Sequence, residues 1–461
     1  MSGESGRRPE IEVDYEHGGA GEGPLTWAQQ FIWDAIRAAG DGPGPFDLLL
    51  VERAPEPVPV AEAITLLHGL LRRHPVLRTE VLAGPAGTVI QRVRPSGTTT
   101  VTVLPYGEVD FDHILDEVPC TTFTEVCRPA VVADESGVHG IVMRISHLAT
   151  DWWGRDVITA DVRSGLAGGE PAGSSPSPLD LARFEGSPAG RGVLRKAVEH
   201  ATALYEVVPP TMWLRSRHDP QDERFWFGRL RSARLLNSIG RLVRSRRLRV
   251  AAILVGAFGT VAASALGLDS AFMRTISSNR FDADWAGYPG PLAQEALMHV
   301  PLAPTVQETM RAALPATLQA LQVARYDPRV LQGTEREAEH RRGVRFDKLG
   351  STLVLNLFSD PGTAPPIDVA ETPTTFEWVG STNLENLAVY IDAGATAHDF
   401  ELHLRLDTSL LTPAEAEDWL RAIEWTVVTA AEREVTTAEV RAYLTSGGDP
   451  SVPAGGAAAR G

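Results

Sequence analysis

A histidine and an aspartate stand four residues apart in RISHLATDWWGRDVI, residues 144–158, at the end of an apolar run. His147 carries the side chain that most often moves protons in enzymes near neutral pH, so it is a candidate general base. Asp151 is a candidate helix cap, or the partner of a cation from elsewhere in the chain. Alone, this pair is a weak indication of function, because a histidine at a strand end is most often an ordinary hydrogen-bonded residue.

The residues before the pair predict the strand that positions it. Side chains alternate between the two faces of a strand, so Ile141, Met143, Ile145 and His147 share one face and Ser146 points to the other. His147 is then the last residue of an apolar stripe. We therefore expect it at the mouth of a buried region.

Predicted helices and strands alternate along the whole chain, which indicates a layered α/β (α+β) protein. Thr26 is the expected N-cap of the first helix, and Pro413 lies in the first turn of the closing helix. Other helices are predicted over 153–166, 190–206, 230–245 and 250–266, and strands over 271–277, 352–358, 387–392 and 400–407.

The composition limits the class of protein. The net charge is -16, from 59 acidic and 43 basic residues, which argues against a nucleic-acid partner. Cys120 and Cys127 match no zinc spacing and cannot form a disulfide framework, which fits a reducing cytoplasm. The N-terminus has no apolar run typical of a signal peptide. We expect a cytoplasmic monomer that binds no metal.

One stretch, 250–268, runs for 19 residues without a charge and is long enough to cross a bilayer. It contains three glycines and many alanines, and no second such stretch exists. We therefore predict a buried core helix and no membrane partner.

Glycine-rich and proline-rich stretches suggest the domain boundaries. Residues 1–23 and 446–461 are predicted to be disordered, and 165–178 is predicted to be a linker. An N-terminal lobe is then expected over 24–178 and a C-terminal lobe over 179–445.

Several segments, in the expected order, resemble the motifs of nonribosomal peptide synthetase condensation domains, in the superfamily of chloramphenicol acetyltransferase-like acyltransferases. SHLATDW is similar to the family's HHxxxDG motif. The other similar segments are LTWAQQFIW (25–33), RRHPVLRTEV (72–81), the segment 252–280 that ends in SNR, FDKLGSTLVLNLFSD (346–360) and FELHLRLDTSLLTPAEAEDWL (400–420). The resemblance covers about residues 24–435.

The resemblance implies two acetyltransferase-like lobes arranged in a V with a central tunnel. Carrier proteins would deliver substrates to it on phosphopantetheine arms, and no bound cofactor is implied. His147 would face the tunnel as general base or orient the attacking group. Asp151 and Arg280 would form a structural ion pair. Asn356 would position the tunnel chemistry, or would be an ordinary buried amide.

Three residues depart from the family pattern. Ser146 replaces the first histidine, which is mainly structural in the family. Trp152 replaces a glycine beside the donor entrance, where an indole would fill the entrance, restrict it to small donors or line a reshaped pocket. Met298, with His299 beside it, stands in the tunnel segment where asparagine is usual. Trp153 is more typical of a core aromatic.

An arginine-rich run occupies 229–249 and contains Arg229, Arg231, Arg234, Arg241, Arg244, Arg246, Arg247 and Arg249. The simpler interpretation is a solvated helix face. The alternative is a docking site for an acidic carrier protein, with Arg241, Arg244 and Arg247 as the contact residues.

Two functions remain open. The first is a stand-alone condensation-type acyltransferase that joins a carrier-bound acyl or peptidyl thioester to an amine or hydroxyl in natural-product biosynthesis, with carriers supplied in trans. The second is a catalytically degenerate domain that binds carrier-bound intermediates or recruits partner enzymes. Replacement of the motif's first histidine by Ser146 and of its glycine by Trp152 favours the degenerate domain.

Overall fold

The computed structural model of the protein describes residues 8–16, 19–40, 42–110, 114–169, 173–213, 218–347, 353–357, 368–383 and 387–447. The chain divides into two compact units. The first unit comprises Met1–Arg195, Ser278–Gln294 and Arg325–Pro328, and the second comprises Lys196–Ser277, Glu295–Ala324 and Arg329–Gly461.

Strands and helices alternate along the described residues. The strands are β1 (Glu10–Glu16), β2 (Gly21–Pro24), β3 (Asp47–Val58), β4 (Thr79–Ala83), β5 (Val89–Val93), β6 (Ser96–Pro105), β7 (Cys127–Asp134), β8 (Gly137–Ser146), β9 (Phe225–Ser232), β10 (Ser270–Ser277), β11 (Gln294–Pro301), β12 (Leu353–Leu357), β13 (Thr375–Thr382), β14 (Val389–Ala395) and β15 (Phe400–Asp407). The helices are α1 (Trp27–Ala39), α2 (Val60–Arg73), α3 (Trp152–Leu166), α4 (Pro178–Gly186), α5 (Pro188–Val207), α6 (Ala233–Arg246), α7 (Val250–Ala265), α8 (Ala283–Ala286), α9 (Val306–Gln322), α10 (Pro328–Arg342), α11 (Pro413–Glu432) and α12 (Thr437–Thr445). This alternation confirms the layered mixture of helix and sheet that the sequence predicts.

The first unit contains a five-stranded sheet, in the order β1-β6-β7-β8-β3, and a three-stranded sheet, in the order β2-β5-β4. β8 is internal to the larger sheet, so both of its edges are paired, and its residues are buried on both faces. Ile141, Met143 and Ile145 pack in one core cluster with the leucines of α2. Val142 belongs to a second cluster with Leu104 of β6. The two faces of β8 therefore follow the alternation predicted from the sequence.

The second unit contains a seven-stranded sheet in the order β11-β10-β12-β14-β15-β9-β13. β10, β12 and β14 pair in parallel, whereas β14, β15, β9 and β13 pair antiparallel. Thr412 caps α11 by accepting a hydrogen bond from the backbone of Glu415, and Pro413 occupies its first position, as predicted.

The uncharged stretch near 250 forms α7, which is buried along nearly its whole length. A Cβ atom at Gly256 would lie 2.6 Å from Cα of Met310, so glycine permits the close approach of α9. The prediction of a buried core helix is confirmed. Among the described residues no single helix is long and apolar enough to cross a membrane. α6 and α7 have the length and composition of a membrane span only when they are taken together, and this pair is bent by 114°.

The prediction that residues 1–23 are disordered is wrong for β1 and β2. In EIEVDYE, polar and apolar residues alternate, and Val13 and Tyr15 are buried in the core of the first unit. β1 pairs antiparallel with β6 over its full length. The surrounding glycines and glutamates obscure this period-two pattern.

The predicted linker over 165–178 does not separate the units. Its Ser175 backbone N–H donates to the carbonyl of Arg73 at 3.0 Å, and its hydroxyl lies 3.1 Å from Nδ1 of His74. The division between the units falls inside α5, and the first unit also takes up residues 278–294 and 325–328. The predicted tail over 446–461 lies outside the described residues from residue 448 onward.

Candidate functional site

His147 follows directly after β8 and is partly buried. Its Nδ1 lies 2.9 Å from the carbonyl oxygen of Thr150. Since a carbonyl oxygen only accepts hydrogen bonds, Nδ1 carries the proton, and the lone pair of the neutral ring is on Nε2. Nε2 has no hydrogen-bond partner among the described residues. The loop thus fixes the ring and leaves one basic nitrogen available.

Asp151 is the N-cap of α3 and is 1 % exposed. Its Oδ1 accepts from the backbone N–H of Gly154 at 2.7 Å and from Nη2 of Arg280 at 2.8 Å. Its Oδ2 accepts from Nη1 of Arg280 at 3.0 Å. It also accepts from the backbone N–H groups of Leu292 and Ala293, each at 2.8 Å. Five donors therefore surround this one carboxylate.

These donors keep Asp151 ionised. Burial by itself would raise the pKa of the Asp151 carboxyl. The Arg280 charge and the hydrogen bonds from Arg280, Leu292 and Gly154 outweigh burial and lower the pKa below its usual range.

Arg280 connects the segment after β10 to the start of α3. Its side chain is 7 % exposed. Besides Asp151, the guanidinium donates to the carbonyls of Ser278 at 3.1 Å and Gly290 at 2.8 Å. It also donates from Nη2 to the carbonyl of Tyr288 at 3.1 Å. The predicted pair of Asp151 and Arg280 is thus present as a two-pronged ion pair inside the first unit.

Two residues that the sequence analysis missed hold the same segment against α3. The hydroxyl of Thr150 donates to the carbonyl of Pro289 at 2.7 Å. A Cβ atom at Gly154 would lie 2.1 Å from that carbonyl oxygen, so only glycine fits there. The glycine three residues after Asp151 is the sequence feature that could have indicated this contact, because two backbones can approach this closely only where there is no side chain.

The sequence matches no protein-family model and no curated protein. Solved structures do match. The condensation domain that mediates chain release from the enacyloxin polyketide synthase has a TM-score of 0.69 and 16% identity, over 89% of this chain and 82% of that one. The X-domain from teicoplanin biosynthesis has a TM-score of 0.65 and 18% identity, over 89% and 96%. The first condensation domain of the CDA synthetase has a TM-score of 0.65 and 13% identity, over 90% and 98%.

The chain has the condensation-domain fold. Its structural neighbours include both condensation domains and X-domains of peptide and polyketide synthetase systems. The resemblance read from the motifs is therefore confirmed at the level of the fold.

The two motif departures in this condensation fold lie on either side of His147. Ser146 is fully buried, and its hydroxyl accepts from the backbone N–H of Leu148 at 3.3 Å. Trp152, in contrast, is 47% exposed, and the guanidinium carbon of Arg155 lies 3.8 Å from the centre of its ring. Trp153 is partly buried. Ser146 is therefore a buried, hydrogen-bonded residue, while the indole of Trp152 is exposed and lies against Arg155.

Asn356 lies in β12 of the second unit, beside Asp392 of β14. Its Nδ2 donates to Oδ1 of Asp392 at 2.7 Å, and Asp392 also accepts from Arg405 at 2.8 Å. Oδ1 of Asn356 is buried and has no partner among the described residues. The two roles predicted for Asn356, a positioning residue of the tunnel and an ordinary buried amide, both stay predictions. The unpaired Oδ1 favours a role in which a further group donates a hydrogen bond to it.

Met298, predicted as a tunnel residue, lies in the second unit. It lies in β11, is 1 % exposed, and its sulfur lies 3.8 Å from the hydroxyl of Thr317 in α9. The side chain of Met298 is buried within the second unit, and its role as a tunnel residue stays a prediction. His299 is only partly buried, and burial lowers its pKa.

The arginine-rich run falls into two groups. Arg229 binds Glu377 at 2.6 Å and Arg231 binds Glu401 at 2.9 Å, both across neighbouring strands. The remainder lie on α6 and in the turn before α7, where Arg241, Arg244 and Arg247 are exposed. The apolar residues of α6 face the core, so the predicted amphipathic helix is present.

A buried carboxyl in α4 has no counterpart in the sequence predictions. Oε2 of Glu185 accepts from the backbone N–H of Trp27, the first residue of α1, at 2.9 Å. Its Oε1 lies 3.8 Å from Nη2 of Arg325. Burial raises the pKa of Glu185 to about 8, although the charge of Arg325 and the Trp27 hydrogen bond act to lower it. Its partners are distant in sequence, so no local pattern indicates them.

Glu185 predicts a pH dependence of stability. An unfolded glutamate ionises near 4.5, whereas Glu185 ionises near 8 in the folded chain. Between pH 4.5 and about 8 the folded chain binds one proton more than the unfolded chain. The contribution of Glu185 to the free energy of unfolding is therefore fully present below pH 4.5 and falls as the pH rises toward about 8. The limiting slope is about 1.4 kcal/mol per pH unit. Glu185→Gln retains an acceptor for Trp27 and should flatten this slope in urea unfolding curves measured across that range.

The exposed residue Glu56 supplies the control for this measurement. Glu56→Gln changes the same charge in the same unit and should leave the slope as in the wild type. An equal slope in wild type and Glu185→Gln would contradict the raised pKa of Glu185.

Proposed function

We propose that the protein is a condensation-type acyltransferase that transfers an acyl or peptidyl group from a carrier-bound thioester to an amine or hydroxyl. The observation that carries this proposal is the orientation of His147. Its Nδ1–H is committed to the carbonyl of Thr150, which leaves the Nε2 lone pair for an incoming proton.

The transfer requires little chemistry beyond positioning and one base. The acceptor nitrogen or oxygen attacks the thioester carbonyl, forming the new C–N or C–O bond. Nε2 of His147 takes the proton that the acceptor loses. The C–S bond then breaks, and the proton passes to the departing thiolate of the phosphopantetheine arm, which regenerates neutral His147. The substrates arrive on carrier proteins, so proximity supplies most of the rate enhancement.

Asp151 and Arg280 act in this proposal as positioning residues. The carboxylate caps α3 and also receives the backbone N–H groups of Leu292 and Ala293. The loop from His147 to Asp151 is therefore fixed at its far end by the ion pair. Its near end is fixed by β8, where the backbone N–H of Ser146 donates to the carbonyl of Val126 at 2.8 Å.

A second function is favoured by Trp152. Its exposed indole lies against Arg155, at the motif position where the family has glycine. An X-domain from teicoplanin biosynthesis, a relative by fold, has been solved in complex with OxyB. In this second function the protein binds a carrier-bound intermediate and recruits a partner enzyme without transferring the acyl group.

One assay separates the two functions. Candidate acyl- and peptidyl-carrier proteins are loaded with acyl-phosphopantetheine, incubated with the protein and an amine or alcohol acceptor, and weighed by intact-protein mass spectrometry. Protein-dependent loss of the acyl mass from the carrier, with product formed, supports the acyltransferase. Carrier binding in a pull-down without loss of the acyl mass supports the recruiting domain.

We propose that carrier proteins dock on the exposed arginines of α6 and the following turn. Arginine pairs well with carboxylates and phosphate, and carrier proteins that match this surface would be acidic. Arg229 and Arg231 lie on β9, where they bind Glu377 and Glu401, and are not part of this surface.

Reversing two of these charges should weaken carrier binding. In Arg244→Glu/Arg247→Glu the attraction becomes a repulsion, so we expect a higher Kd at low salt and a smaller loss of affinity as salt is added. The measurement is carrier affinity at several salt concentrations. The control, Arg311→Glu/Arg336→Glu, makes the same charge change at two exposed positions on α9 and α10. Equal weakening by both pairs, or affinity insensitive to salt, would remove this docking site.

A further inference from the structure

A cleft in the first unit lies apart from the motif residues Ser146, His147, Asp151 and Arg280, none of which lines it. It contains about 430 Å³ of empty space, part of which is open to solvent. Its walls come from β1, β6, β7 and the chain just before β4 and β7. The charged residues in the lining are Arg78, Arg94, Arg128 and Glu125.

Arg78 is the unusual member of this lining, because it is 3 % exposed and carries no carboxylate partner among the described residues. Its Nε donates to the carbonyl of Leu71 at 3.1 Å, and its Nη1 donates to the carbonyls of Gly19 and Arg94. Nη2 is buried without a partner in the described chain. Burial accordingly lowers the pKa of Arg78. A buried, uncompensated guanidinium is unfavourable unless an anion approaches it.

The neighbouring charges do not supply that anion. Arg128 binds Glu125, and Arg94 binds Glu80 at 3.3 Å. Within the lining, three arginines accompany the single carboxylate of Glu125, while Glu80 lies outside the lining and is also 3.6 Å from Arg92. Arg78 is therefore left without a counter-charge. Nε of Arg128 is also buried without a partner among the described residues. Arg78 and Arg128, both lining residues of the cleft, therefore each carry one buried guanidinium N–H group without a partner among the described residues.

Hydroxyl groups complete the lining. Thr79 and Thr98 are engaged, with the carbonyl of Pro75 and the carboxylate of Asp14 respectively. Tyr15 is hydrogen-bonded to Arg94, and the hydroxyl of Thr124 lies 3.4 Å from that of Thr122. The remaining hydroxyl-bearing residues of the lining are Thr99 and Thr100. Guanidinium and hydroxyl donors around a small space are the groups that bind tetrahedral oxyanions.

We propose that this cleft is a binding site for phosphate, as the free ion or as a phosphate monoester. Arg78 and Arg128 donate to its oxygens, and the anion neutralises the buried charge of Arg78. The site is independent of His147 and of the proposed transfer reaction. A protein with this site is stabilised by phosphate, because the anion binds the folded chain and not the unfolded one.

The test titrates the whole protein with inorganic phosphate at constant ionic strength and follows its melting temperature and the ³¹P line width of the ligand. We expect a saturable rise in melting temperature for the wild type. Arg128→Gln removes one charge-assisted donor and should raise the apparent Kd at least about tenfold. Arg72→Gln, at an exposed position in the same unit, should bind as the wild type does. Arg128 is the tested position because loss of buried Arg78 would disturb folding.

Parallel titrations identify the ligand. Methyl phosphate distinguishes a monoester from the free ion by its Kd relative to that of inorganic phosphate. Acetate at the same ionic strength tests whether any small anion suffices. The proposal is overturned if acetate or chloride stabilises the wild type as much as phosphate does, or if Arg128→Gln and the wild type have the same Kd for phosphate.

Discussion

His147→Ala is expected to reduce acyl transfer from a loaded carrier by about 10²- to 10⁴-fold, the usual contribution of a positioned general base. The alanine leaves no group to take the acceptor's proton. Folding should be preserved, because the ring is only partly buried and its one hydrogen bond to a described residue is to the Thr150 carbonyl. The measurement is the initial rate of acyl loss from the carrier by intact mass.

A second substitution separates the base from the local hydrogen bond. His147→Asn places an amide N–H near the Nδ1 position, so it can still donate to Thr150 but has no basic nitrogen. It should be as inactive as the alanine variant while unfolding at the same denaturant concentration as the wild type. His139→Ala, at the opposite end of β8, is the control and should transfer normally. Unchanged turnover in His147→Asn would remove the general-base role of His147 and leave an acyltransferase that relies on substrate positioning without this base.

The local sequence predicted the elements around this site well, for a physical reason. Ile141, Met143 and Ile145 alternate with residues that face a second core, and this period survives in the structure because β8 is covered on both sides. α7 was predictable for the same kind of reason, since its small apolar residues fit only a buried helix. β1 was predicted to be disordered because the prediction used the average composition of residues 1–23. An average does not show the alternation that buries Val13 and Tyr15.

The contacts that the sequence could not predict are those between distant segments. Glu185 meets the backbone of Trp27 and the side chain of Arg325 only after folding, and nothing near residue 185 indicates either contact. Arg78 was recognised as part of a motif, but its missing counter-charge depends on three carbonyl groups brought together by tertiary packing. The burial of Met298 could not be predicted either, because a motif position specifies a register and not whether the side chain is enclosed.

Removing one partner of the Asp151–Arg280 pair should destabilise the first unit by about 3–5 kcal/mol, since it leaves the other partner buried without its counter-charge. Asp151→Asn loses the charge but keeps an oxygen that can accept from Gly154. Arg280→Gln leaves the carboxylate with only the backbone donors of Gly154, Leu292 and Ala293. Urea unfolding of the wild type and of both single variants measures the effect.

The double variant distinguishes an ion pair from two independent contacts. In Asp151→Asn/Arg280→Gln no charge is left uncompensated, so the loss should be smaller than the sum of the single losses, with a positive coupling of about 1–3 kcal/mol. Additive losses would show that the two residues stabilise the fold separately.

The pH dependence of stability gives an independent check of the Asp151–Arg280 pair. Because the folded pKa of Asp151 lies below its unfolded value, this stabilisation is complete above the unfolded value and is lost as the pH falls through the folded one. Asp151→Asn should therefore be less sensitive to acid than the wild type.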